Sequence, residues 1–310
     1  AANVVVGLEL SPQVSAEVNL GLGIDKNQSG FVQGAGLFGI RISMAPKGLY
    51  DTTISLGSIP VPYGQFSETQ TDNSSVPSYF IFNDVGYALL NQGDALSDFG
   101  ANGVSTTTPV AGNKGTVNVM VFNGTDGNAT NTDQGFGVAA RYINDTLINN
   151  VSMSVSAMNV NDLGNSEAID ANTTGYMADV KTSMFGIEFG GYVSLLTLDD
   201  ANASTKDNVT ALMGYAVKRF NKVTLSGRYS VVKPEDFDGN GTGGTSGLPD
   251  KIGLGNVPYS DVDITRIQAS AIFHLEDSLN LHNEIIFDTY GENRADYNNT
   301  AVLSYASIAF

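Results

Sequence analysis

Four arginines carry the clearest chemical signal in this 310-residue chain. Arg41, Arg141, Arg228 and Arg266 each occupy the polar side of a stretch in which apolar and polar residues alternate. Against them stands an acidic, aromatic segment, about 59–83, with Glu68, Asp72, Tyr79, Phe80 and Phe82, and Asp84 just beyond. No Lys or Arg interrupts the chain between Lys47 and Lys114. If these arginines and carboxylates border one narrow space, they set up a transverse field that orients dipolar solutes and filters ions. The arginines have a plainer use as well: pairing with Glu17, Asp179, Glu188 or Glu284 would satisfy them within a wall. Both uses stay open at this point.

Other constellations are weaker. Asp236, Asp238, Asn240 and Thr242 fall in a Gly-rich stretch with oxygen ligands at the spacing of a calcium loop and Gly241 at its sixth position. The twelfth position is Gly247, so an EF-hand is excluded and an isolated Ca²⁺ loop is the most that stretch supports. The two histidines, His274 and His282, share a polar face, but no Gly-x-Ser-x-Gly elbow accompanies them. An enzyme is not expected, nor any cofactor beyond that calcium. There is no Cys, so disulfide and thiolate-metal chemistry are excluded. Acidic residues outnumber basic ones 32 to 15, for a formal net charge of −17, which argues against a nucleic-acid partner.

The elements that must position these residues follow a period of two. The segments 13–24, 31–44, 116–123, 135–143, 150–160, 174–183, 185–198, 209–220, 222–232, 263–275, 278–289 and 300–310 carry this alternation. With 2–10, 52–58 and 84–90 added, about fifteen strands are expected. A closed bacterial barrel takes an even number. Either 1–24 is one bent strand, making fourteen, or a further strand lies hidden in 92–115 or before residue 1, making sixteen. From about residue 115 short turns alternate with long Asn-, Asp-, Gly- and Thr-rich connections, the longest at about 233–261. Antiparallel neighbours with tight turns at one rim and long loops at the other produce that pattern. The segment 92–115 breaks it.

The polar faces identify the surroundings. On 263–275, Arg266, Gln268, Ser270 and His274 oppose Ile267, Ala269, Ala271, Phe273 and Leu275. A barrel this wide cannot fill its interior with side chains. Water inside and lipid outside is the consistent solution, so the fold class is all-β: one transmembrane antiparallel β-barrel domain over 1–310, with 14 to 16 strands. Only 15% of residues are charged, as lipid-facing half-strands require. Most acidic residues lie between strands, so the charge predicts an acidic vestibule and a mild cation preference rather than a strongly selective pore.

Val6-Gly7-Leu8-Glu9-Leu10 through Thr53-Ile54-Ser55-Leu56-Gly57-Ser58-Ile59-Pro60-Val61-Pro62-Tyr63-Gly64 resembles the early strands of bacterial outer-membrane porins. Asp84-Val85-Gly86 and Val119-Met120-Val121-Phe122-Asn123-Gly124 resemble segments of the porin group that includes the phosphate-selective channels. The phosphate-selective subtype itself is disfavoured, since 59–83 lacks the basic ladder it requires. The terminal alternation ending in Phe310 resembles the insertion signal of such barrels, and the start Ala1-Ala2-Asn3 suits a chain after signal removal. The resemblance implies a Gram-negative outer-membrane diffusion channel for ions and small hydrophilic solutes. It also implies an infolded constriction loop, often a homotrimer, and contact with outer-membrane lipid and lipopolysaccharide. The alternative expectation is a scaffold barrel that houses or anchors a partner such as a cytochrome or a surface assembly.

Overall fold

The computed structural model describes residues 2–24, 32–49, 51–64, 101–110, 114–123, 136–161, 171–200, 207–235, 263–276, 279–291 and 298–308. Among them are fifteen strands: β1 (Ala2–Ser11), β2 (Val14–Ile24), β3 (Val32–Met44), β4 (Thr53–Ile59), β5 (Ala101–Pro109), β6 (Thr116–Asn123), β7 (Phe136–Ile148), β8 (Val151–Val160), β9 (Ala171–Met184), β10 (Ile187–Asp200), β11 (Asp207–Arg219), β12 (Val223–Glu235), β13 (Ile264–Glu276), β14 (Leu279–Tyr290) and β15 (Asn299–Ile308). They form one sheet in chain order. Each neighbouring pair is antiparallel, from β1–β2 to β14–β15.

Two uncertainties of the sequence reading are resolved. Residues 1–24 are not one bent strand: Ser11 pairs with Val14, so β1 and β2 make a hairpin about Pro12-Gln13. The strand hidden in 92–115 is β5, which pairs with β4 and β6. With β5 in place the alternation of connections holds along the whole chain. Two to eight residues separate strands at one rim (12–13, 45–52, 110–115, 149–150, 185–186, 220–222, 277–278). The opposite rim takes connections of six residues or more, the longest being 60–100 and 236–263. The proposed strand 84–90 lies outside the described residues.

The tight turns at the short rim have a local cause. Between β9 and β10, Phe185 and Gly186 both have positive φ (53° and 69°), the two-residue geometry whose twist matches that of the flanking strands. Asn150 (φ 63°) plays the left-handed part between β7 and β8.

The sheet is inside-out relative to a soluble protein. Val6, Leu8, Leu10, Val121, Val155, Leu195, Leu225 and Ile267 are exposed on its outer face. Ser154, Asp179, Arg228, Arg266, Gln268, Glu284 and Asp288 are buried on its inner face. Aromatics gather on the outer face near both rims: Phe185, Phe189, Phe220 and Phe273 toward the short turns, Phe136, Tyr176 and Phe287 toward the long ones. This is the girdled apolar band of a barrel that crosses lipid with strands. One inner feature departs from the expected polar lining. Toward the long-loop rim the inner wall becomes apolar and Met-rich, with Met120, Met158, Met177, Met213, Tyr192 and Leu196 in one buried cluster.

Candidate functional site: the inner wall and the infolded segment

The cluster exists because the chain after β4 turns inward. β4 pairs with β3 only from Met44↔Ile54 to Arg41↔Gly57 and then separates from it. Gly57 sits at the departure with φ 112°, and a Cβ there would lie 1.9 Å from the Ile40 carbonyl oxygen, so only glycine fits. Ile59, Val61 and Tyr63 are then buried in succession. The Tyr63 N–H donates to the Val61 carbonyl at 2.8 Å, a three-residue turn for which the fixed φ of Pro62 is suited.

Three polar contacts fasten this segment to the wall. The Tyr63 and Ser194 hydroxyls are 2.9 Å apart. The Gly64 N–H donates to Ser156 Oγ at 2.9 Å. Arg141 Nη1 donates to the Gly64 carbonyl at 2.7 Å. Gly175 makes room: a Cβ there would come within 2.8 Å of the Tyr63 hydroxyl and 3.1 Å of Leu196 and Met158. Burial pushes the Tyr63 phenol up to about 12, with the Ser194 bond acting in the opposite direction, so the hydroxyl stays protonated at neutral pH.

The four arginines all lie on the inner face, in different settings. Arg141 anchors the infolded segment, as just described. Arg41 pairs with Glu17 at 2.7 Å, both side chains partly open to solvent. Arg266 is fully buried and grips Asp288 at two points, Nε to Oδ1 at 2.6 Å and Nη2 to Oδ2 at 3.0 Å. Arg228 donates through Nε to Gln268 Oε1, and Gln268 Nε2 donates to Glu284 Oε1 at 2.7 Å. Of the partners anticipated from sequence, Glu17 takes Arg41. Gln268 links Arg228 to Glu284. Asp179 accepts from Ser154 at 2.6 Å. Glu188 is held by Lys181 (3.4 Å), Arg219 (3.3 Å) and the Tyr215 hydroxyl (3.0 Å).

The pairing of Asp288 with Arg266 depends on the β13–β14 register, which a single strand's alternation does not record. His274 is bonded on both sides, to Asn280 at 2.7 Å and Thr224 at 3.0 Å, and so ties β12, β13 and β14 together. Glu68, Asp72 and Asp84 lie outside the described residues, as do Asp236, Asp238, Asn240 and Thr242. Sequence reasoning passed over Tyr63, Ser156 and Ser194 as fasteners; the one signal was the Pro-aromatic step Pro62-Tyr63.

No family model matches the chain, and no curated protein matches it in sequence. Solved structures do match in shape. The anion-selective porin from Comamonas acidovorans superposes with a TM-score of 0.65 over 99% of this chain and 84% of its own, at 12% identity. OmpT, an outer membrane protein of Vibrio cholerae, superposes at 0.61 over 98% and 85%, at 11% identity. OmpF of Salmonella typhi, in complex with daunomycin, gives 0.61 over 98% and 88%, at 10% identity. The chain has the fold of an outer-membrane porin. The porin fold accounts for the sheet in chain order, the enclosed polar face and the sorting of short and long connections to opposite rims. At 10–12% identity the likeness carries architecture and leaves selectivity to this chain's own residues.

Proposed function

We propose that this protein is a porin of the bacterial outer membrane, a passive diffusion channel for ions and small hydrophilic solutes with a mild cation preference. The observation that carries the reading is a transmembrane barrel whose enclosed face is polar and partly open to solvent, as at the Glu17–Arg41 pair. In this reading 59–83 is the constriction loop, started by the fastened segment 59–64. Glu68, Asp72 and Asp84 supply its acidic side, and the wall that carries the partly exposed Arg41 the other. The local motifs at 84–86 and 119–124 favour kinship with the porin group that includes the phosphate-selective channels, without phosphate selectivity.

A homotrimer in contact with lipid and lipopolysaccharide belongs to the same reading. A polar pair within the outer apolar band supports contact with a second copy. The Ser304 hydroxyl donates to Asn283 Oδ1 at 3.0 Å, between the lipid-facing Leu281 and Ile285 of β14. Two and three strands from Asn283, Gly227 and Gly214, outward on β12 and β11, have no atom closer than 3.9 Å to where a Cβ would sit. The barrel therefore does not require glycine there, whereas a close neighbour would.

Reconstitution in planar bilayers tests the channel. Stepwise conductance is expected; folded protein that conducts nothing refutes the reading. The scaffold alternative, a barrel that houses a partner, requires an unobstructed lumen, and the fastened segment 59–64 weighs against it.

A further inference from the structure

The inner face is not uniform around the barrel. On β7–β14 most of it is packed: Arg141, Ser154, Ser156, Ser230, Arg266, Gln268, Ser270, His282 and Glu284 are all buried, and the open exceptions, Lys181 and Arg219, lie toward the short-turn rim and are held by Glu188. The Arg266 and Asp288 side chains are each 1% exposed. On β1–β3 the inner face is open. Glu9 and Ser15 are exposed, and Ser43 is half-buried. Arg41 and Glu17 keep 36% and 40% of their side-chain surface in solvent.

Side-chain volume explains the difference. The register lines up two inward rows across β1–β5. One reads Glu9, Ser15, Ser43, Ser55 and Ser105; the other reads Gly7, Glu17, Arg41, Gly57 and Gly103. Continued onto β6, the same rows become Met120 and Phe122, which are buried. Seven of the ten β1–β5 positions are Ser or Gly, so this arc cannot fill the space in front of it, whereas the Met, Tyr, Arg and Gln of the opposite arc do. A cavity of about 200 Å³ opens against the first rows, lined by Gly7, Glu9, Ser15, Glu17, Arg41 and Ser43.

Resting on the porin reading above, we infer that the aqueous path is eccentric: it runs along β1–β4, and Glu9 is the uncompensated charge it meets on that wall. Glu17 is offset by Arg41 at 2.7 Å. Glu9 has no ion pair among the described residues and stands two residues from the short-turn rim. A permeating cation is therefore favoured at the short-turn mouth. Arg228 and Arg266 hold the wall and do not meet the solute. A single carboxylate about 6 Å from a hydrated ion changes its local population about threefold before salt screening.

The chain has no Cys, so single cysteines report access without interference. Ser15→Cys and Ser43→Cys are compared with Ser230→Cys and Ser270→Cys in folded, reconstituted protein. The probe is a charged, membrane-impermeant thiosulfonate reagent, read by mass shift and by conductance. Rapid modification of the first pair, with a conductance step, and protection of the second pair until unfolding are expected. Equal or faster modification at 230 or 270 overturns the inference. Glu9→Gln should lower the K⁺-over-Cl⁻ permeability ratio by two- to threefold, and an unchanged ratio removes Glu9 from the path. Wild-type protein that conducts nothing refutes the porin reading, while the mass shifts still decide where the lumen is open.

Discussion

Tyr63→Ala is the sharpest test of the infolded segment. Tyr63 is 1% exposed, packed among Met158, Met177 and Leu196 and bonded to Ser194. Removing a buried aromatic ring costs about 3–5 kcal/mol, the lost burial plus the cavity left behind. The remaining polar fasteners are the charge-assisted Arg141–Gly64 bond, worth about 1.5–3 kcal/mol, and the Ser156–Gly64 bond, worth about 1 kcal/mol, beside the buried Ile59 and Val61. The variant thus removes the largest single contribution that holds the segment to the wall. A loss of about 4 kcal/mol raises the undocked population relative to the docked one roughly a thousandfold. The barrel itself keeps all its strand pairing. Single-channel recording should show noisier open states and higher mean conductance, and liposome swelling should admit larger sugars. Tyr63→Phe, which loses only one hydrogen bond of about 1 kcal/mol, should change the noise little. A folded Tyr63→Ala barrel with wild-type conductance, noise and size cutoff would show that segment 59–64 does not hold the constriction.

Further outcomes follow from other parts of the wall. Arg266→Met should destabilise the barrel by about 3–5 kcal/mol, because Asp288 is left buried and unpaired, while Arg266→Met with Asp288→Leu should recover most of the loss. Urea unfolding of the two variants measures the difference, and equal midpoints would refute the buried-pair account. Asn283→Leu should reduce the oligomer in mild detergent without changing single-barrel conductance; an unaltered oligomer removes that patch from the subunit contact. A Ca²⁺ ion held by Asp236, Asp238, Asn240 and Thr242 should raise the thermal midpoint on calcium addition, and Asp238→Asn should abolish that rise. No shift with calcium in the wild type ends the idea.

The legibility of this chain divides along its strands. Period-two alternation identified most strands, because a sheet facing lipid on one side and water on the other must alternate chemically. Sorting of connection lengths gave the two rims for the same reason that antiparallel neighbours share them. β5 escaped because Ala101–Pro109 reads Ala-Asn-Gly-Val-Ser-Thr-Thr-Thr-Pro, with Val104 its one large apolar side chain on the outer face. Its strand state comes from pairing on both sides with β4 and β6, which a local pattern does not record.

The arginines show the same limit. Alternation placed all four on the inner face, since residues two apart in a strand share a face whatever the fold. Who meets whom across the sheet is set by register, and register placed Asp288 opposite Arg266 and Gln268 between Arg228 and Glu284. Nor did alternation show that the inner wall turns apolar near the long-loop rim. Met158 and Val160 follow Ser156 inward on β8, and their burial depends on Val61 and Tyr63 arriving from about ninety residues away. The sequence by itself determined the class of the fold, the membrane-facing surface and the sign of the loop charge, because each is a property of local pattern or composition. Which arc of the lumen is filled and which is open was decided by tertiary structure alone. It depends on side-chain volumes summed across strands far apart in the chain, and only barrel closure and the infolded segment bring those volumes together.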